Sequence, residues 1–457
     1  MGPHAIKPLA LWRELPGAGP LLGGLDADDA ERMKRGFYNI MAAQFFSSLA
    51  DNALFVAAIE LLKGVGAPAW QLTALVPMFA LFYVVLAPFL GALSDAVPKG
   101  RVMFLANAIK VAACLMMLYS SHPLIAYAFV GLGAAAYSPA KYGILTELLP
   151  TSQLVKANGW IEGLTILSII AGAVLGGQLV GPRLSPYLLS AHVPWVGVGV
   201  HTPAQATVAC MLVLYVIAAA FNLRIPRTDT PLAPFGGRTA ELVRDFSQCN
   251  ARLWDDKLGQ ISLATTTLFW GVSGNLRYLV LAWAGVALGY DIPHASFLLG
   301  IVGLGTVAGA VIAAFTIRLV HATRVILMGA ALGTAVIAIN TMHNVWIAGS
   351  FLAVLGAIGG FMVVPMNALL QHRGHNLMGS GRSIAVQNFN EQAAILGLGA
   401  FYSALTRGGL SVSGSISIFG VVVACASWLI YRWHRRNMVE HREEVEGLLE
   451  IARSDSH

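Results

Sequence analysis

The chain has 457 residues, is 56% hydrophobic and only 11% charged, and carries 48 glycines. Its mean hydropathy of +0.68 excludes a soluble globular domain and indicates a multi-spanning membrane protein. The formal charge of +6 does not indicate nucleic acid, because the basic residues sit at the ends of apolar runs, where they set orientation.

Residues 1–35 open on MGPHAIKPLALWRELPGAGP, rich in Gly, Pro and charge. No basic start leads into an uninterrupted apolar run with a cleavage site, so a mobile cytoplasmic extension is expected rather than a signal peptide. The apolar runs that follow are about 20 residues long, the length a helix needs to cross ~30 Å of hydrocarbon. Period-two alternation is absent, so strands are not expected. Twelve spans are expected at 36–63, 69–95, 101–121, 123–150, 155–181, 204–225, 259–288, 293–320, 324–342, 344–372, 381–407 and 411–433. The longest polar interruption falls in the middle, giving a six-helix bundle at 36–225, a cytoplasmic linker at 226–258, a second six-helix bundle at 259–433 and a cytoplasmic tail at 434–457.

With the N-terminus inside, the inner segments hold 23 of the 29 Lys and Arg residues and the outer loops hold three (Lys63, Arg183 and Arg407). Both termini are therefore expected in the cytoplasm. The four cysteines (Cys114, Cys210, Cys249 and Cys425) form no CxxC pair, so neither a metal site nor a disulfide framework is expected. No GxxxxGK[ST] phosphate loop and no supported Ser/His/Asp set occurs; nothing suggests an enzyme or a cofactor. GLGTVAGA at 303–310 lies within a span, and close helix packing through Gly305 and Gly309 explains it better than a dinucleotide loop.

Charged residues inside the spans are the functional signal, because each costs at least ~2.5 kcal/mol near the bilayer centre. Asp51, Lys110, Lys141, Glu162, Arg277 and Glu391 fall at comparable depths in spans 1, 3, 4, 5, 7 and 11. Three cations and three anions suit a zwitterionic ligand, or a salt-bridge network that breaks and reforms between states. Lys110 is on a span expected at the periphery, where its ammonium can snorkel inward. For Asp51, Lys141 and Arg277 the competing reading is a structural ion pair. Glu147, near the inner end of span 4, is expected at a gate. Pro139, two residues before Lys141, removes a backbone hydrogen bond and is expected to loosen that helix.

The two halves also match each other. ADNALF (50–55) aligns with SGNLRY (273–278), SPAKYGILTE (138–147) with VPMNALLQHR (364–373), and Asn158/Glu162 with Gln387/Glu391, at offsets of 223, 226 and 229. Three matches in order suggest two parallel six-helix repeats, the arrangement of the major facilitator superfamily. Between spans 2 and 3, GALSDAVPKGR (91–101) resembles that superfamily's signature loop. There Gly91 permits close helix contact, and Asp95, able to cap the next helix or pair with an arginine, is a gating candidate with Lys99 and Arg101. The second-half counterpart has Arg318 where the acid belongs. The fold class expected is therefore an all-α membrane protein of twelve transmembrane helices in two pseudo-symmetric six-helix bundles.

GAAAYSPAKYGIL (133–145), LVKANG (154–159), QFFSSLADNALF (44–55), LFWGVSGNLRYLVL (268–281), GGFMVVPMNALLQHRG (359–374) and IAVQNFNEQAA (384–394) closely resemble the bacterial lysophospholipid transporters of the Gram-negative inner membrane. The resemblance runs from 36 to about 433 and leaves out the N-terminal extension and the loop at 182–203. It implies a flippase that carries lysophosphatidylethanolamine and relatives from the outer to the inner leaflet. A partner acyltransferase/acyl-carrier-protein synthetase, expected here as a separate protein, then re-acylates them. It fits a binding site in which Arg277 or Lys141 holds the phosphate. Asp51, Glu162 or Glu391 would hold the ammonium, with Asn52, Tyr142, Asn275 and Gln387 beside them. A carrier for a soluble solute and a non-transporting scaffold for an acyltransferase are the competing functions.

Overall fold

The computed structural model describes residues 27–119, 122–181, 184–190, 200–228, 230–234, 238–290 and 292–454; residues 1–26 of the expected N-terminal extension and half of the 182–203 loop lie outside them, and residues 27–35 of that extension are helical. Among the described residues every regular element is a helix. In chain order they are α1 (Ala27–Gly64), α2 (Ala69–Val85), α3 (Ala87–Ala96), α4 (Lys99–Leu118), α5 (Pro123–Leu148), α6 (Leu154–Val180), the short α7 (Ser185–Ser190) and α8 (Pro203–Leu223). After the interruption come α9 (Thr239–Asp255), α10 (Gly259–Ala287), α11 (Ile292–Thr316), α12 (Met328–Ala338), α13 (Val345–Met378), α14 (Ser380–Arg407), α15 (Val412–Glu440) and α16 (Arg442–Ser454).

Nine described helical segments are long and apolar enough to cross a membrane, and α2 with α3 form a tenth span bent by 61°. The remaining two expected spans are α10 and α14, whose 29 and 28 residues reach across but whose polar side chains lower their hydropathy. These two helices carry Arg277 and Glu391. Local chemistry sets many of the ends. Thr202 and Gln205 form a capping box that starts α8, and the Asn344 side chain caps α13. Gly379 has φ +89, a conformation open to glycine, and it separates α13 from α14. The span expected at 69–95 is not straight. It breaks at Leu86, and Pro88 opens the second piece. The span expected at 324–342 is a 3₁₀ stretch (Leu319–Val325) followed by the short α12. The interruption at 226–258 is not all connector, since α9 forms within it and buries Cys249 and Leu253.

In the first half α1 packs on α6 and α8, and α4 on α5 and α8; in the second, α11 packs on α13, α12 on α15 and α10 on α14. The halves meet where α3 and α5 lie on α14 and where α6 lies on α11 and α13. Lipid offers little hydrophobic drive for helix association, so close packing matters more. Glycines supply it at α11/α13. A Cβ on Gly305 or Gly309 would run into the Ala353 or Ala357 carbonyl, and one on Gly356 or Gly360 into Val302 or Thr306. Gly309→Leu is therefore expected to destabilise the protein by about 1–3 kcal/mol or more, read as a lower melting temperature in detergent. Gly397→Leu, at a site with open space around it, is the matched control and leaves the melting temperature unchanged.

Candidate functional site

The polar side chains of the interior fall into three groups. The first closes the end of the bundle where the linker lies. Asp95, at the end of α3, reaches across to α14, where its carboxylate accepts the backbone N–H of Gly381 (2.6 Å) and Arg382 (3.0 Å). These are first-turn amides with no partner inside their own helix, and the helix dipole favours an anion there. The sequence suggested that Asp95 either caps the helix following it or pairs with an arginine; the helix it caps belongs to the other half, and an arginine of that helix, Arg382, is beside it. Arg382 Nη1 lies 3.4 Å from Asp95, and its Nε 2.8 Å from Asp245 on α9. Lys99 Nζ donates to the Ser94 carbonyl (2.8 Å) and lies 2.9 Å from Glu147 and 3.4 Å from Asp95. Glu147 accepts from Ser380 (2.9 Å) in the opposite half and from Thr228 (2.8 Å) in the linker. Gly91 permits this approach, since a Cβ there would sit 2.7 Å from that of Ala385. Asp95, Lys99 and Glu147 thus form one cluster. Arg101 does not join them; it is exposed on the outer side of α4. The sequence placed it with the gate because of its motif position, but α4 turns its side chain away.

Beyond the gate, two uncharged pairs join the halves. Asn158 and Gln371 exchange two amide hydrogen bonds (2.9 and 2.8 Å), and Ser138 and Asn388 two more (3.3 and 3.0 Å), all buried. Pro139 lies inside a continuous α5 beside this layer.

The second group belongs to the first half alone. Lys110 is 1% exposed and its Nζ lies 2.8 Å from the Asp51 carboxylate and 3.0 Å from Ser47 Oγ. Tyr215 OH also donates to the Asp51 carboxylate (2.7 Å), and Ser47 to Asn107 (2.8 Å). Lys110 is therefore no peripheral snorkelling residue; it is the buried partner of Asp51. Its polar neighbour Asn107, one turn back in LANAIK, was the signal that this face of α4 turns inward. Asn52 donates back to its own helix, at the Ser48 carbonyl (2.8 Å).

The third group bridges the halves. Tyr142 OH donates to Glu162 (2.7 Å), which also accepts from Asn367 (3.3 Å). Gln387 Nε2 lies 3.0 Å from Asn367 Oδ1 and 2.7 Å from Glu391. Glu162 and Glu391, pseudo-equivalent in the two repeats, are thus tied into one chain by Asn367. Asn367 was not among the expected site residues, though it stands 226 positions after Lys141, the repeat offset already visible in that pair of segments. Lys141 is 6% exposed, with its Nζ 4.0 Å from the centre of the Tyr142 ring. No carboxylate among the described residues lies within ion-pair distance of it, although Glu162, Asp51 and Glu391 are all within its electrostatic reach. Asn275 is taken up in packing, donating to Gly271 and to the Ile395 carbonyl of α14 (2.8 and 2.9 Å). The Arg277 side chain lies outside the described residues.

Burial of α14 falls away beyond this layer. From Ser380 to Glu391 most of α14 is buried, whereas no residue from Gln392 to Arg407 is.

A sealed end, two helical halves and charged groups in the seam between them define a two-halved membrane carrier. Residues 40–398 match the family model described as Major Facilitator Superfamily, and the chain belongs to that superfamily. It is a transporter. Among curated relatives it is similar to the lysophospholipid transporter LplT of Yersinia enterocolitica, 39% identical over 84% of this chain and 90% of that protein. It is also similar to the lysophospholipid transporter LplT of Photorhabdus laumondii, 36% identical over 88% and 96%. Among solved structures, the human organic anion transporter MFSD10 shares the fold at a TM-score of 0.63 and 17% identity, over 87% of this chain and 99% of that one. The Escherichia coli fucose:proton symporter FucP shares it at a TM-score of 0.62 and 12% identity, over 87% and 97%.

Proposed function

We propose that the protein flips lysophospholipids, lysophosphatidylethanolamine and its relatives, from the outer to the inner leaflet of the bacterial inner membrane. The observation that carries this reading is Lys141, a buried cation without a carboxylate partner among the described residues, beside two carboxylates that bridge the halves. An uncompensated buried charge is costly, and a ligand phosphate relieves that cost through a charge-assisted hydrogen bond. Glu162 or Glu391 then receives the ligand ammonium. Asp51 is the weaker candidate, since Lys110 and Tyr215 already engage it. The relatives named for lysophospholipid support the substrate class.

The distribution of 23 of 29 basic residues supports a cytoplasmic linker end, with both termini on that side. In that orientation the cluster of Asp95, Lys99 and Glu147 closes the cytoplasmic side and the cleft faces outward. Substrate enters sideways from the outer leaflet, the halves of 36–225 and 259–433 rock, and the gate opens to release it. A separate acyltransferase/acyl-carrier-protein synthetase consumes the product.

The test is uptake of head-group-labelled lysophosphatidylethanolamine into proteoliposomes, with leaflet position read by an impermeant quencher. Wild-type protein accelerates inward movement over empty liposomes. Lys141→Ala, at wild-type folded yield, lowers the rate by about a hundredfold, the equivalent of one charge-assisted contact of nearly 3 kcal/mol. A folded wild-type protein that moves no lysolipid, yet is competed by water-soluble solutes, sinks the substrate assignment.

A further inference from the structure

A head group held at Lys141 leaves the acyl chain to be accounted for, and the structure places a row of rings in line with it. Phe55 on α1 lies one turn beyond Asp51 on the same helix face. Its ring centre is 5.9 Å from that of Tyr127 on α5. Tyr127 is 5.6 Å from Phe79 on α2, and Phe79 is 6.3 Å from Tyr83. Tyr83 stands at the inner end of the row. Asp51, Glu391 and Tyr142 all act on it electrostatically, so it stands between the apolar row and the polar seam.

Two further features hold the row in place. Gly131 of α5 lets the Phe79 backbone come against it, since a Cβ there would strike the Phe79 carbonyl and lie 2.7 Å from its Cα. Three residues past Tyr83, α2 breaks at Leu86 and bends by 61°. The bend allows α3 to close the gate while α2 follows α5 towards the open side. Phe55, Phe79 and Tyr83 are only half-buried, so their rings keep a free face. Tyr127 and Lys141 are 14 residues apart on α5. That spacing brings them back to one face, about 21 Å apart along the axis, the length scale of one extended acyl chain.

We propose that Phe55, Phe79, Tyr83 and Tyr127 form the track that holds the lysolipid acyl chain within the protein and sets its chain-length preference. This rests on the lysolipid reading above. Flat, rigid rings offer a methylene chain continuous apolar contact at little ordering cost, and the Tyr83 hydroxyl ends the track where the polar seam begins. The competing arrangement leaves the chain in the bilayer while only the head group passes through the cleft.

The experiment is proteoliposome uptake of saturated lysophosphatidylethanolamines that differ only in chain length. Wild type is compared with Phe79→Trp, which narrows the track, and Phe79→Ala, which widens it. Phe79→Trp is expected to raise KM for the longest chain relative to the shortest by about tenfold, the equivalent of losing contact with roughly two methylenes, and Phe79→Ala to shift the ratio the other way. Since either variant could fold poorly, wild-type protein is also photolabelled with a lysolipid bearing a diazirine at the chain end. Label on peptides holding Phe55 or Tyr127, competed by unlabelled lysolipid, is expected. Unchanged length preference together with label confined to outward-facing residues such as Val174 and Trp428 overturns the track. Wild-type protein that moves no lysolipid of any length overturns the substrate assignment instead.

Discussion

Asp51→Leu alone lowers the stability of the folded protein by about 3–5 kcal/mol, because it leaves Lys110 charged, buried and without its carboxylate. Lys110 is 1% exposed, and its remaining oxygen partner, Ser47 Oγ at 3.0 Å, carries no charge. Tyr215 loses the acceptor of its hydroxyl as well. Asp51→Leu/Lys110→Met removes both charges and is expected to recover most of the loss, since a buried pair replaced by apolar groups of similar size is often neutral. Thermal melting of the purified single and double variants in detergent checks this, and transport by the double variant separates two roles. If Asp51 is structural, the double variant regains transport along with its fold. If Asp51 also holds the substrate ammonium, the double variant melts like wild type and still fails to transport. A single variant that melts like wild type would falsify the pairing itself.

Asp95→Ala has the second large effect, and it acts on conformation rather than on folding. The carboxylate is the cross-half acceptor for the first amides of α14 and a neighbour of Lys99 and Arg382. Losing two hydrogen bonds to a charged group is worth about 3 kcal/mol or more, enough to move the balance between closed and open gates by about a hundredfold. The open state also exposes the Asn158–Gln371 and Ser138–Asn388 pairs to water, which compensates part of their breakage. Spin labels on Arg101→Cys in the first half and Glu443→Cys in α16, which packs on the second half, both exposed, report the opening in a cysteine-free background. Asp95→Ala is expected to lengthen that distance and to slow transport at least tenfold, since a carrier held on one side cannot cycle. An unchanged distance distribution means that the N–H contacts of Asp95 do not hold the gate. Lys99→Ala is expected to give a smaller opening, because Glu147 retains Ser380 and Thr228 as donors.

Hydropathy alone gave the twelve spans because burial in lipid demands long apolar helices and tolerates no unpaired backbone. α10 and α14 read as spans as well, although their polar side chains keep them below a simple hydropathy threshold. The repeat offsets also brought Glu162 and Glu391 forward as candidates. They did not reveal Asn367 as the link between them, a contact made across 205 residues to Glu162. The pairing of charges was mis-set in one instructive case. Lys110 was set apart from Asp51 because its span was expected at the periphery, yet the two touch. Depth along a helix follows from counting residues, but the direction a side chain faces depends on how that helix is rotated against its neighbours.

The sequence by itself determined the class of protein, its succession of long apolar helices, the gathering of basic residues at one set of helix ends and the presence of charges inside the spans. These are local properties, fixed by composition and by the 1.5 Å rise of each helical residue. The tertiary structure alone decided which charges are already matched and which is not. It gave Lys110 to Asp51, gave Asp95 to the amides of α14, and left Lys141 without a carboxylate partner among the described residues. Matching of this kind depends on distances of a few ångströms between helices far apart in the chain, and no property of a single helix carries that information.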